Sequence, residues 1–244
     1  MTPTVPAEYE GLWRRTGIWR SNGSSDLTTQ VWWFQSASFH IDLRIPADRP
    51  MVADAAALAR LPPEQRQRFA AQTGFAGLTV VDGARCAWHP EIAFPYVSSE
   101  VDAGIMRFDS ADRLHETGLD NSYEEDWLRV PTGPVCGVRL RDTNSAAIAY
   151  LLISEQWMAW AYGKPDDAFV ADTLNPRQWS AFSIFEKQDD WILIASNFPW
   201  LEKQASCKAS EVSLAVVRQW QPEQFAKLPW SEAQWRITNT AAVA

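Results

Sequence analysis

The feature that most constrains this chain is a hydrophobic period of two. Phe39-His-Ile-Asp-Leu-Arg-Ile45 puts Phe39, Ile41, Leu43 and Ile45 on one side and His40, Asp42 and Arg44 on the other. Successive side chains of a strand point to opposite faces, so this spacing predicts a half-buried strand. Stretches 104–108, 135–141, 146–153 and 211–220 are also rich in β-forming residues and end at turn residues. Asp82-Gly83 and Lys187–Asp190 have hairpin-turn composition, and 22–26 and 162–175 read as loops. One region is helical in composition: an Ala-rich run over 52–60, broken by Pro62-Pro63 and resumed over 64–72. About ten or more short strands predict an all-β, antiparallel protein with one short helical insertion. Such sheets hide their edges by closing into barrels or by stacking.

The chain also echoes itself. Tyr9-Glu10-x-x-Trp13-x-Arg15 returns as Tyr123-Glu124-x-x-Trp127-x-Arg129. Ser36 and Phe39 return as Ser154 and Trp157. Val80-Val81-Asp82 followed by Phe94-Pro95-Tyr96 matches Ile184-Phe185-Glu186 followed by Phe198-Pro199-Trp200. Ser99-Glu100-Val101 with Ile105-Met106-Arg107 matches Ser210-Glu211-Val212 with Val216-Val217-Arg218. The matches keep their order, which predicts two tandem β units, 8–120 and 121–240. The helical insertion, about 52–72, belongs to the first, and each unit is long enough for a small barrel core.

Gly11-Leu12-Trp13 resembles the G-x-W opening of lipocalin and calycin barrels. There a Trp of the first strand plugs one end and an Arg of a late strand lies across it. The resemblance implies that Arg107 and Arg218 supply that Arg, held by cation–π attraction. The second unit departs from it with Glu125-Asp126-Trp127. The wider pattern is similar to fungal Hri-type proteins and their bacterial relatives. The residues that carry this are Val31-Trp-Trp-Phe34 with Asp42-Leu-Arg-Ile-Pro46, Cys86-Ala-Trp-His89, and His115-Glu-Thr-Gly118 with Tyr123-Glu-Glu-Asp-Trp127. That resemblance implies two calycin-like β domains packed together and brings no catalytic residue with it.

Composition removes several function classes. Lys plus Arg is 22 against 30 Asp plus Glu, a net charge of −8. That balance does not furnish a basic face for nucleic acid or an anionic membrane. Residues 1–10 lack a secretory pattern, and the longest apolar run, 146–153, falls short of the ~20 residues of a membrane helix. Cys86, Cys136 and Cys207 are odd in number and widely spaced, which predicts reduced thiols and a cytoplasmic protein. Abundant Ala and Arg over Lys point to a GC-rich bacterial gene. No metal-ligand spacing and no Gly-rich phosphate loop occur, so neither metal nor cofactor is expected.

The candidate catalytic residues are His40, Asp42 and Arg44, with Glu116 and Tyr123 assisting. Neighbours on one strand face lie ~7 Å apart, so an enclosed face would bring an imidazole, a carboxylate and a guanidinium together for acid–base work. A solvated face is the alternative. At an offset of 118 the second unit carries Met158, Trp160 and Tyr162 at these positions. A solvated face would stay polar in both, so the comparison favours enclosure, although a one-residue slip of register would exchange the faces. Trp32, Phe34 and Trp88, with His89 and His115, are the candidate ligand-binding residues. Three functions fit: binding of a small hydrophobic or aromatic molecule, a cofactor-free lyase, isomerase or hydratase in the first unit, or a protein-interaction module. Five of the 14 Trp fall in the first unit and nine in the second, whereas all three His fall in the first. The first unit therefore carries the candidate chemistry.

Overall fold

The computed structural model describes residues 2–95, 101–165 and 179–241. The first sheet comprises β1 (Gly11–Arg20), β2 (Ser25–Asp26), β3 (Gln30–Gln35), β4 (Phe39–Ile45), β5 (Thr73–Asp82), β6 (Arg85–Phe94), β7 (Asp102–Ser110), β8 (Arg113–Gly118) and β9 (Tyr123–Val130). Neighbours pair antiparallel in the order β2-β1-β3-β4-β5-β6-β7-β8-β9, and β9 returns to β1, so the sheet closes into a barrel. The helical insertion is two short helices, α1 (Ala55–Ala59), capped by the Asp54 side chain, and α2 (Pro63–Ala70).

The second sheet comprises β10 (Cys136–Asp142), β11 (Ile148–Ile153), β12 (Trp157–Gly163), β13 (Ala181–Lys187), β14 (Asp190–Ser196), β15 (Ala205–Lys208), β16 (Phe225–Ala226) and β17 (Trp235–Ala241). Its order is β15-β14-β13-β12-β11-β10-β17-β16. Strand for strand this is the order of the first sheet, with β10 at the place of β1 and β17 at that of β9. The barrel closes because β7 pairs with β8. In the second sheet a helix, α3 (Leu214–Val217), lies between the corresponding β15 and β16, which do not pair among the described residues. The all-β expectation of two barrel-type sheets holds, with the second curled rather than closed.

Local turns echo the sequence matches. In the β3–β4 turn Ser36 N–H donates to Phe39 O, and Phe39 N–H donates to Ser36 Oγ. Ser154 and Trp157 make the same pair of bonds between β11 and β12.

Three expectations change. The Tyr123–Trp127 segment does not open the second sheet; it lies in β9, paired with β1 in the register Arg15↔Trp127. The changeover between sheets therefore falls between Val130 and Cys136, not at 120/121. Second, 211–220 contains α3: Ser213 caps it by accepting from Val216 N–H, and Leu214 and Val217 bury their side chains. A cap with an i, i+3 apolar pair suits a helical turn despite the β-branched composition. Third, the Arg across Trp13 is Arg129, 4.2 Å from the ring centroid. Its position directly opposite Trp13 on β9 puts both side chains on one face. Arg107 instead pairs with exposed Asp109, and Arg218 ends α3. The repeat partners Tyr96, Ser99 and Glu100, and the 166–175 part of the expected loop, lie outside the described residues. Cys86, Cys136 and Cys207 are buried free thiols. No helix among the described residues is long and apolar enough to cross a membrane.

The largest apolar core lies between the sheets. Phe34, Phe39, Ile41 and Leu43 from the outside of the barrel meet Tyr150, Leu152, Ala159, Phe182 and Ile184 of the second sheet. Arg139 and Tyr150 both donate to Glu91 across this junction, at 2.6 and 2.5 Å. Gly137 sets the spacing: a Cβ there would sit 2.3 Å from Ser36 Oγ, which the turn bonds hold in place. Gly137→Ala is expected to destabilise the chain by about 1–3 kcal/mol, the usual range for overpacking. A urea midpoint equal to wild type would show that this contact does not set the spacing.

Candidate functional site

Burial of one face of β4 dictates the fate of the other. Phe39, Ile41, Leu43 and Ile45 are committed to the inter-sheet core, so period two turns His40, Asp42 and Arg44 into the barrel. His40 and Asp42 are 0% and 2% exposed. The enclosed face, not the solvated one, is what the fold produces.

Inside the barrel the groups form two networks. Trp33 Nε1–H donates to Gln35 Oε1 at 3.2 Å, and the Thr79 hydroxyl donates to the same oxygen at 2.8 Å. Thr79 Oγ1 is then the acceptor for His40 Nδ1, 3.0 Å away, which assigns the proton of a neutral His40 to Nδ1. Burial, reinforced by nearby His89, pushes the His40 pKa down to about 3. His40 is thus a neutral, buried member of a hydrogen-bond chain.

The second network is ionic. Arg44 donates to Asp42 at 2.8 Å and to Asp102 at 3.3 Å. Arg15 bonds Glu125 at 2.7 Å, with Asp26 at 3.4 Å. Glu116 Oε1 accepts from the Tyr123 hydroxyl at 2.8 Å, and Oε2 accepts from Trp127 Nε1–H at 3.2 Å. Burial, and then the proximity of Glu125, raise the Glu116 pKa to about 8. Burial also raises Glu125, against the pull of Arg44 and Arg15. Asp42 rises to about 6 through burial, although Arg44 pulls it down. At neutral pH Glu116 therefore carries a proton while Arg44 carries its charge.

These groups lie beneath a cavity of about 630 Å3 at one end of the barrel. Arg44, Phe75, Phe94, Pro95, Asp102 and Tyr123 bound it. Gly118 lets the Tyr123 ring lie flat on the strand, since a Cβ there would be 2.6 Å from Tyr123 Cε1. Deeper in, the lumen is filled by rings: Trp33 contacts Trp13, Trp88 and Trp127 at centroid distances of 6.2, 5.4 and 5.7 Å. A ligand therefore has space at the mouth, where an apolar wall adjoins Arg44 and Tyr123 as donors and Asp102 as acceptor.

The proposed catalytic residues divide. Asp42, Arg44, Glu116 and Tyr123 share one network region, and Arg44 and Tyr123 reach the cavity wall. His40 is in the barrel but does not bound that cavity. Among the proposed ligand-binding residues, Trp88 belongs to the lumen core. Trp32 and Phe34 face outward into the inter-sheet core, where Trp32 lies under Arg14 and beside Trp157. They cannot line the lumen, because Trp33 between them takes the inward side. His89 is exposed on the outside of β6, and His115 faces outward on β8 beside Asp126 at 2.7 Å. Among the described residues no three His, Cys, Asp or Glu side chains are grouped as a metal site. Sequence reasoning missed Arg15, Glu125, Asp102 and Phe75. Arg15 and Glu125 sit two residues from Trp13 and Trp127, so the strand period carried that signal.

No family model matches this chain, and no curated protein matches it. Among solved structures it is similar to the uncharacterized protein YLR301w of Saccharomyces cerevisiae, with a TM-score of 0.57 and 12% identity over 95% of this chain and 98% of that one. This likeness shows the fold. A lipocalin-like protein from Bacteroides uniformis aligns over 51% of this chain and 100% of its own, with a TM-score of 0.34 and 11% identity.

Glu116 gives a signed pH test. The unfolded carboxyl loses its proton near 4.5 and the folded one near 8, so folding is increasingly penalised as pH rises through that window. Glu116→Gln removes this penalty. Its stability relative to wild type should rise by more than about 1.4 kcal/mol, the worth of one pKa unit, on going from acid to alkaline buffer. Denaturation series at the two ends of the window measure it; a pH-independent difference would mean that Glu116 is ionised in the folded protein.

Proposed function

We propose that the first barrel binds a small molecule at its mouth: a flat, apolar or aromatic body with a polar end group. The observation that carries this reading is the convergence of Asp42, Arg44, Glu116 and Tyr123 beneath a cavity of about 630 Å3. That size falls within the ~300–1,000 Å3 of small-molecule sites. Phe75, Phe94 and Pro95 supply the flat contact, and Arg44, Asp102 and Tyr123 fix the polar end. Buried ionisable groups with displaced pKa values beside a cleft mark functional sites. We also infer that the two sheets derive from one duplicated calycin-like unit, since they share a strand order and the Ser36 and Ser154 turns. The Hri-type resemblance belongs to this same reading.

A second reading rests on the proton held by Glu116. Tyr123 lines the cavity and shares a hydrogen bond with that carboxyl, so a proton can pass between cavity and interior through the phenol. A cofactor-free lyase, isomerase or hydratase would use it as a general acid, with Arg44 holding the substrate.

Native mass spectrometry of the purified chain is expected to retain a small molecule at one-to-one stoichiometry. Arg44→Ala and Thr73→Trp, the latter filling the cavity from the position opposite Arg44, should each weaken its binding by about tenfold or more. Equal retention by both variants would move the ligand elsewhere. Should that molecule be turned over, Glu116→Gln would remove turnover and leave binding, which separates the two readings.

A further inference from the structure

The second sheet has a cavity at the matching place. It encloses about 460 Å3 between β12, β13, β14, the turn Pro199–Leu201 and Trp230. Its position follows from the ladders. In the barrel Asp42 pairs with Trp33 and Arg44 with Thr73; in the second sheet Trp160 pairs with Leu151 and Tyr162 with Ala181. The next ladder of each sheet shifts register at the corresponding point, Ala76/Gly77 and Ile184/Phe185. Trp160 and Tyr162 thus occupy the positions of Asp42 and Arg44, and the cavity lies on the same, inward face.

The chemistry is inverted. Trp160, Tyr162, Phe185, Phe198, Trp200 and Trp230 dominate the wall, and among the described residues no Asp, Glu, Lys, Arg or His contributes to it. Trp230 packs edge-on to Trp160 at 5.8 Å, and Phe198 contacts Trp200 at 5.3 Å. The polar groups available are neutral: Ser183, Gln204, Ser206 and the Tyr162 hydroxyl. Tyr162 and Leu201 are 41% and 39% exposed, so the cavity opens to water.

We propose that this cleft is a second small-molecule site, selective for uncharged, flat aromatic ligands that carry a hydrogen-bond acceptor. A charged ligand would lose its hydration and find no counter-charge among the described residues of this wall. Aromatic walls reward a flat ring by stacking and edge contacts. The hydroxyl of Tyr162, at the exposed rim of the cavity, supplies the preference for an acceptor, because a donor covered by a ligand gains by pairing. This site stands independently of the one at the barrel mouth.

The probes are Nile red, which is flat, neutral and carries a carbonyl, and anionic anilinonaphthalene sulfonate, titrated by fluorescence onto the full chain. Saturable one-to-one binding of Nile red is expected, about tenfold or more tighter than the sulfonate. Tyr162→Asp and Leu201→Asp add a carboxylate at exposed rim positions that the core does not need. Each should weaken Nile red by about tenfold or more, with an unchanged circular dichroism spectrum and melting temperature. Arg44→Ala should leave Nile red binding unchanged while it weakens the ligand of the barrel mouth. The proposal fails if Nile red does not saturate, if the rim variants bind it as wild type does, or if Arg44→Ala removes it. It also fails if the chain sediments as a dimer that the rim variants dissociate, since the face would then be a contact between copies.

Discussion

The apolar junction between the two sheets decides what the barrel contains. A barrel strand has one face outside and one inside, and in most soluble barrels water takes the polar side. Here the outside of β3 and β4 is covered by β11 to β13, so the apolar residues of β4 go outward and the polar ones inward. Asp42 and His40 are buried as a result. Each has to be neutralised, paired or hydrogen-bonded, because an isolated charge in such a place costs many kcal/mol. The two networks meet that requirement: Arg44 lies between Asp42 and Asp102, Arg15 binds Glu125, Glu116 keeps its proton, and His40 gives its own to Thr79.

The same junction explains how the second sheet can stay open. Its convex face is covered by the barrel, and its concave face is filled by a separate core that includes Leu140, Leu151, Trp160, Trp235 and the α3 residues Leu214 and Val217. Closure is one way of removing sheet edges; short edge strands are another. β15 spans Ala205–Lys208 and β16 only Phe225–Ala226, so each exposes few unpaired backbone groups. Rings such as Trp191, Trp230 and Trp235 supply much of the bulk of that concave core.

How much of this was legible in the sequence varied with the range of the interaction. The period of β4, the Asp82-Gly83 turn and the helices around Pro62-Pro63 are local and were readable. The inward direction of His40, Asp42 and Arg44 was not, because it depends on a sheet more than a hundred residues away; only the comparison with Met158, Trp160 and Tyr162 hinted at it. β3 was harder still. Val31 to Gln35 is buried on both faces, so alternation vanishes and Trp32 could not be told from Trp33. The Tyr123–Trp127 echo of Tyr9–Trp13 misled because it matched letters without matching ladders: β9 pairs with β1 rather than replacing it. Arg129 was overlooked for the same reason, since its closeness to Trp13 exists only through that pairing.

The second sheet also shows what this architecture does not require. The positions of His40, Asp42 and Arg44 are held there by Met158, Trp160 and Tyr162, in the same registers and on the same face. Met158 and Trp160 are almost fully buried and belong to an apolar core. Apolar residues therefore satisfy these strands, and replacing buried ion pairs by well-packed apolar groups is often neutral or stabilising. The barrel instead holds Asp42 and Glu116 well above the carboxylate range and His40 far below the imidazole range. Raised carboxyls weaken folding as pH climbs, and a lowered imidazole weakens it as pH falls. Such a set narrows stability from both sides without improving the packing. The binding proposed at the mouth, where Arg44 and Tyr123 meet the cavity, gives these groups a role that packing does not supply.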